Sequence, residues 1–155
     1  MDAISLLTQD HQKVRKLLKE LNDTTERASK TRMELVEKIA VELKVHTQIE
    51  EEIFYPAFKQ ACNDSDSDKL YFEALEEHRA AGDLVLPDLL KTDVNSEKFS
   101  GRAKVLEELV EHHADEEESE MFPRAKKIFS GEDLKTLGEQ LAERKQELLE
   151  TAAAA

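Results

Sequence analysis

The sequence has no tryptophan, one cysteine, three prolines and four glycines in 155 residues. The lone Cys62 rules out an intramolecular disulfide and any CxxC motif, which fits a reducing compartment. With glycine and proline scarce and Leu, Glu, Lys and Ala abundant, the composition leans toward helix. No Gly-rich phosphate loop and no Ser/His/Asp triad signature is present. No apolar run approaches the roughly 18 residues that a bilayer span requires. Basic residues are in short supply, 22 against 35 acidic, for a net charge of −13. That balance argues against nucleic acid, because phosphate binding needs clustered Lys and Arg, and against an anionic membrane surface. It attracts cations without naming one. The opening Met-Asp-Ala-Ile-Ser has no basic segment followed by an apolar one, so no signal peptide is visible and the cytoplasm is the expected location.

What is there is helical periodicity. The length suits one domain with a single core. The first helix should run from about Ala3 to about Arg27, with Ile4, Leu7, Val14, Leu18 and Leu21 as its apolar stripe. A second should open near Thr31, where Thr31 and Glu34 form a capping box, and continue through Leu35, Ile39, Leu43 and Ile53 to about Ala61, with Pro56 ending or kinking it. A polar stretch, Asn63 to Asp68, precedes a third helix carrying Tyr71, Leu75, Val85 and Leu89, with a possible kink at Pro87. The fourth carries Leu106, Leu109, Val110 and Met121. Ser130-Gly131-Glu132-Asp133 is a second capping signature and opens a short fifth helix with Leu134, Leu137, Leu141 and Leu148. The expected fold is all-α. Residues 1–129 form an up-down-up-down four-helix bundle, 130–150 a C-terminal helix packing on it or mediating association, and 151–155 a frayed tail.

The polar residues on the apolar stripes repeat. A shift of 67 residues carries His11 onto His78, His46 onto His113, Glu50 onto Glu117 and Pro56 onto Pro123. It also carries Asp10 onto Glu77 and Glu51 onto Glu118. Four of the five histidines take part. The chain therefore reads as two similar helical hairpins packed face to face. At about 1.5 Å per residue, His11 and His46 lie roughly 24 Å or a little more from the turn between their helices, and His78 and His113 lie at similar depths in the other hairpin. His11, His46, Glu50, His78, His113 and Glu117 thus converge in one layer of the core.

A core tolerates buried carboxylates only if their charge is compensated or neutralised. No Lys or Arg interrupts these stripes near the layer, so a pair of metal cations is the expected compensation. Each HxxxE pair puts two ligands on adjacent turns of one face, about 5–6 Å apart at Cβ. Imidazole and carboxylate together suit Fe, Mn or Zn better than Mg or Ca. Four His and two Glu leave positions free on two six-coordinate ions for water, an oxo group, O₂ or peroxide.

These residues resemble the hemerythrin-like, HHE cation-binding family over about residues 2 to 129. The resemblance rests on Asp10-His11, His46-x-x-x-Glu50 ahead of Phe54-Tyr55-Pro56, Glu77-His78-Arg79, and His113-x-x-x-Glu117 ahead of Met121-Phe122-Pro123. It implies a non-haem di-iron centre with an oxo or hydroxo bridge, Mn or Zn being the alternatives. The roles it implies are O₂ binding, oxygen, iron or NO sensing, and hydrogen peroxide decomposition. Oxygen-carrying hemerythrins use a His-x-x-x-His pair on the third helix, but the position four after His78 is Gly82. That favours redox chemistry with peroxide or O₂ over reversible carriage, with a non-enzymatic sensing module as the alternative. Some relatives place a tyrosine ligand one turn beyond the first HxxxE glutamate; that position is Phe54, so no such ligand carries over. The remaining polar and aromatic residues have plainer readings: Tyr55 and Tyr71 as packing, Tyr71 within reach of an outer hydrogen bond, His112 as a partly exposed histidine, and Glu51, Glu52, Glu116 and Glu118 as solvated. The oligomeric state is not legible.

Overall fold

The computed structural model describes residues 1–155 and is all helical. Helix α1 is Ala3–Asn22. Helix α2 comprises Ser29–Ile49, a π-helical turn Glu50–Phe54 and Tyr55–Ala61. Helix α3 comprises Ser65–His78, a π-helical stretch Arg79–Val85 and Leu86–Leu90. Helix α4 comprises Glu97–Glu116, a π-helical turn Glu117–Met121 and Phe122–Ile128. Helix α5 is Gly131–Ala154 and includes most of the segment expected to fray. No helix is long and apolar enough to cross a membrane.

Asp2, Asp64, Ser96 and Ser130 cap α1, α3, α4 and α5 by accepting a backbone N–H of the first turn. Only Ser130 completes a reciprocal box, with Asp133. The expected cap at Thr31 does not form: α2 starts at Ser29 after Ala28, with no side-chain cap. Helix α1 also stops short of Arg27. The Asn22 amide bonds Leu18 O and Ala103 O, and the Thr24 hydroxyl bonds Leu21 O, so side chains take up its last carbonyls. Arg32, buried at 2% exposure, then ties this end together by donating to Thr24, Val94 O and the Ser100 hydroxyl while lying over the Phe99 ring.

Successive helices run antiparallel, as contacts in reversed order show: Asp10–His46 with Lys13–Glu42, Glu51–His78 with Lys59–Asp68, and Glu77–His113 with Thr92–Arg102; α1 closes the ring against α4 through His11–Glu117 and Arg15–Glu118. Helix α5 packs across α1 and α2. The apolar core comes in two parts. One, with Leu7, Ile49, Phe54, Phe58, Phe122 and Leu141, holds most of the aromatics. The other, with Leu18, Ile39, Leu43, Leu89, Leu106 and Val110, is mainly aliphatic. Between them lies a buried layer of His and Glu.

All three π-helical stretches end two residues before a proline: Phe54 before Pro56, Val85 before Pro87, and Met121 before Pro123. Proline cannot donate to the carbonyl four residues back, and its ring crowds that turn. The chain widens there, so Tyr55 N–H bonds Glu50 O, Leu86 bonds Ala81 O and Phe122 bonds Glu117 O, each five residues back. The helices continue past their prolines rather than ending at them.

Candidate metal centre

Helix α1 contributes His11, α2 contributes His46 and Glu50, α3 contributes His78, and α4 contributes His113 and Glu117; all six are buried. Their inward atoms crowd together. His46 Nε2 and His78 Nε2 lie 2.9 and 3.2 Å from Glu50 Oε1. His11 Nε2 and His113 Nε2 each lie 3.1 Å from Glu117 Oε1. Each carboxylate therefore meets one histidine from either end of the layer.

The outward nitrogens are held too. His11 Nδ1 faces Glu118 at 2.9 Å, His46 Nδ1 faces Asp10 at 3.0 Å, His78 Nδ1 faces Glu51 at 3.0 Å, and His113 Nδ1 faces Glu77 at 2.8 Å. An ionised carboxylate only accepts, so Nδ1 carries a hydrogen, and a cation replacing the proton on Nε2 would meet a neutral ring with its lone pair directed inward. This outer ring obeys the repeat: 67 residues separate Asp10 from Glu77 and Glu51 from Glu118. Glu51 and Glu118 keep the solvent contact expected of them, with 46% and 30% of the side chain exposed, and are positioning groups as well; the register that pairs them was the available signal.

The layer lacks internal hydrogen-bond closure. His46 Nε2 and both Glu50 oxygens are buried without a hydrogen-bond partner, although His46 Nε2 is only 2.9 Å from Glu50 Oε1. Buried polar atoms left this way are costly unless something else satisfies them. In this layer the carboxylates outweigh the cost of burial. Burial alone would lower the His46 pKa, yet the Glu50 and Asp10 carboxylates raise it to about 10. The same contest, burial opposed by carboxylates, lifts His113 well above its usual value and raises His11 and His78. Glu117 is held well below the carboxylate range despite burial, chiefly by His113. The ligand atoms of His11, His46, Glu50 and Glu117 lie within 4.8 Å of one another, as do those of Glu50, His78 and His113. Two groups sharing Glu50 fit a pair of cations, and imidazole with carboxylate suits borderline metals such as Fe, Mn or Zn.

Tyr55 enters the layer, against the expectation that it only packs. Its hydroxyl donates to Glu117 Oε2 at 2.9 Å and stands 3.0 Å from His78 Nε2 and 3.3 Å from His113 Nε2. Burial, reinforced by the Glu117 charge, pushes the phenol pKa well above its usual value. The position one ordinary turn beyond Glu50 is Phe54, but the π-helical turn adds a residue and brings Tyr55 round instead. Its ring stacks on His78 at 5.2 Å, and Phe122, its counterpart in the repeat, stacks on His11 at 5.8 Å. Tyr71 packs edge-on against Tyr55 and makes no hydrogen bond to the layer.

Gly82 lies in the π-helical stretch of α3, and a Cβ there would meet nothing within 4 Å. Ala81, not Gly82, faces the layer, lining a small cavity of about 20 Å³ with Val14, Leu43, Val110 and the four histidines. That is room for about one water-sized ligand. His112 is exposed and touches Glu77 and Glu116, one residue removed from the layer. Burial and the neighbouring Glu77 and Glu73 carboxylates raise Glu116 to about 8.

The sequence model of the hemerythrin HHE cation-binding domain matches residues 2–125. An uncharacterised protein of Mycobacterium tuberculosis, Rv2633c, is 28% identical over 149 residues, covering 96% of this chain and 88% of that one. A DNA nickase of Nostoc is 26% identical over 132 residues, but the match covers 36% of that protein. A crystal structure of a hemerythrin HHE cation-binding domain-containing protein from Mycobacterium kansasii, an Rv2633c homologue, superposes with a TM-score of 0.85 at 28% identity, covering 99% of this chain and 91% of that one.

Proposed function

Because this chain belongs to the hemerythrin HHE cation-binding domain family, we propose that the cation it binds is a pair of irons and that the pair carries out redox chemistry with hydrogen peroxide or O₂. The ligands in this reading are His11, His46, Glu50, His78, His113 and Glu117, with Tyr55 as a further oxygen donor at the His78–His113 end. Mn or Zn would fit the same donors. The observation that carries the reading is the set at the centre: His46 Nε2 and both Glu50 oxygens, buried without a hydrogen-bond partner among converging imidazoles and carboxylates.

Iron would supply one-electron steps and positions for a small oxygen ligand. The chain's own residues do the rest. Asp10, Glu51, Glu77 and Glu118 fix the imidazoles. Val14, Leu43, Ala81 and Val110 wall the cavity with apolar surface, which limits the ligand to water, peroxide, O₂ or NO and keeps bulk water away. Without metal, Tyr55 holds a proton 2.9 Å from Glu117 and would release it on ligating iron. The free, buried Cys62 accords with a reducing, cytoplasmic setting.

The test is metal analysis and an optical spectrum of aerobically purified protein, followed by peroxide addition. Two irons per chain, near-ultraviolet charge transfer and steady O₂ evolution, with one peroxide oxidised to O₂ for each reduced to water, are expected. Two irons with a stoichiometric spectral change and no turnover would make the protein a binding or sensing module. Protein that takes up no iron would remove the di-iron reading.

A further inference from the structure

The two ends of the layer differ, and the differences share one electrical sign. At the His11–His46 end, both outer carboxylates are backed by cations. Arg15 donates to Glu118 at 2.8 Å, and Lys145, reaching in from α5, donates to Asp10. At the His78–His113 end neither carboxylate has such a partner. Glu51 pairs with His78 alone, and Glu77 meets His113, His112 and the Glu116 carboxyl, with no Lys or Arg pairing to either. The repeat shows why: the counterpart of Arg15 is Gly82, and α5, which supplies Lys145, packs on α1 and α2. The phenol adds to the imbalance, since Tyr55 brings an oxygen to the His78–His113 end where Phe122 brings none to the other.

A carboxylate paired with an ammonium or guanidinium passes less negative potential through its histidine to a bound ion than one left unpaired. The low dielectric of a buried layer preserves that difference. We propose that the two ion positions are built to be unequal: the His78–His113 end takes the first cation, and the more highly charged of an unlike pair, while Arg15 and Lys145 hold the His11–His46 end to weaker binding. This rests on the reading of the layer as a metal pair.

Titration of the metal-free protein with Co²⁺, followed by calorimetry and visible absorption, tests it. Wild-type protein should bind in two resolved steps. His113→Ala should abolish the tight step and His11→Ala the weak one. Glu77→Gln should weaken the tight step by about tenfold, the scale of outer-ligand effects on metal affinity. Gly82→Arg places a cation where the repeat has one, in open space, and should weaken the same step. Lys145→Met should tighten the weak step and narrow the gap, and Lys145→Arg should restore it. If Lys145 and Arg15 only brace the helices, Lys145→Met will loosen the weak step instead, and the inference is overturned. It is also overturned by two equal steps, or by a tight step that survives His113→Ala and is lost with His11→Ala. Absence of any Co²⁺ binding would fail the metal reading itself and take this inference with it.

Discussion

The Tyr55 hydroxyl donates to Glu117 Oε2 at 2.9 Å, joining a side chain of α2 to a buried carboxylate of α4 across the middle of the bundle. Tyr55→Phe removes this bond and almost nothing else, since Phe122 shows that the fold accepts a phenyl ring in the matching position. The metal-free variant should lose about 1–3 kcal/mol of stability, the cost of unpairing a buried charged acceptor. The iron-loaded variant should keep its metal but lose any visible phenolate-to-iron absorption. Thermal unfolding and the optical spectrum check both. A visible band that persists in Tyr55→Phe would show that the phenol is not a ligand.

Metal removal should be felt by the whole fold, because the ions would join all four bundle helices. An ion held at a thousand times its Kd adds about 4 kcal/mol. Chelation should therefore lower Tm clearly. Glu50→Ala separates the ion from the fold. In metal-loaded protein it should sharply reduce metal content and stability. In metal-free protein it removes a charge partner of His46 and His78 that makes no closed hydrogen bond, so stability should fall there too, but by less. Equal destabilisation in both states would argue that Glu50 is a structural partner of His46 and not a ligand.

The pH dependence of the metal-free protein follows from its histidines. His46 is raised from 6.5 to about 10, because the Glu50 and Asp10 carboxylates outweigh the cost of its burial. His11, His78 and His113 are raised too. A group raised on folding contributes its full stabilisation below its unfolded pKa and loses it as pH climbs through the folded value. Stability should thus decline from about pH 6.5 toward pH 10, and denaturant midpoints across that range measure it. In loaded protein the ions replace those protons, so the decline should be suppressed, and loading at pH 7 should release protons to a weakly buffered solution.

Much of the site was legible because it rests on two regularities. Helical spacing put His46, Glu50, His113 and Glu117 on core-facing stripes, and the 67-residue register joined them to His11 and His78. Tyr55 was missed for a physical reason. Counting four residues from Glu50 assumes an unbroken α-helix, and the π-helical turn shifts the inward position to the fifth. The cause was present as Pro56, Pro87 and Pro123, whose missing N–H invites the wider turn, but the composition does not say whether a helix will stop, kink or widen. Arg32 was invisible for another reason. Its burial depends on acceptors from Thr24, Val94 and Ser100, which come together only when the bundle closes.

Gly138 lies on the face of α5 that meets the start of α1. A glycine in a helix interior usually gains about 1 kcal/mol on replacement by alanine. Here a Cβ would fall 2.2 Å from Met1 O, 2.7 Å from the Asp2 carbonyl carbon and 2.8 Å from Ala3 N, all backbone atoms that no side-chain rotation can move. Gly138→Ala should therefore destabilise, reversing the usual sign, by forcing α5 away from α1. The damage should reach the metal layer as well, because Lys145 lies two turns further along α5 and contacts Asp10, the carboxylate that holds His46. The expected result is a lower Tm together with altered affinity at the His11–His46 end, and an unchanged first step of Co²⁺ binding at His78–His113. A stabilising Gly138→Ala would show that α5 can shift without loss, and that its contact with α1 does not position Lys145.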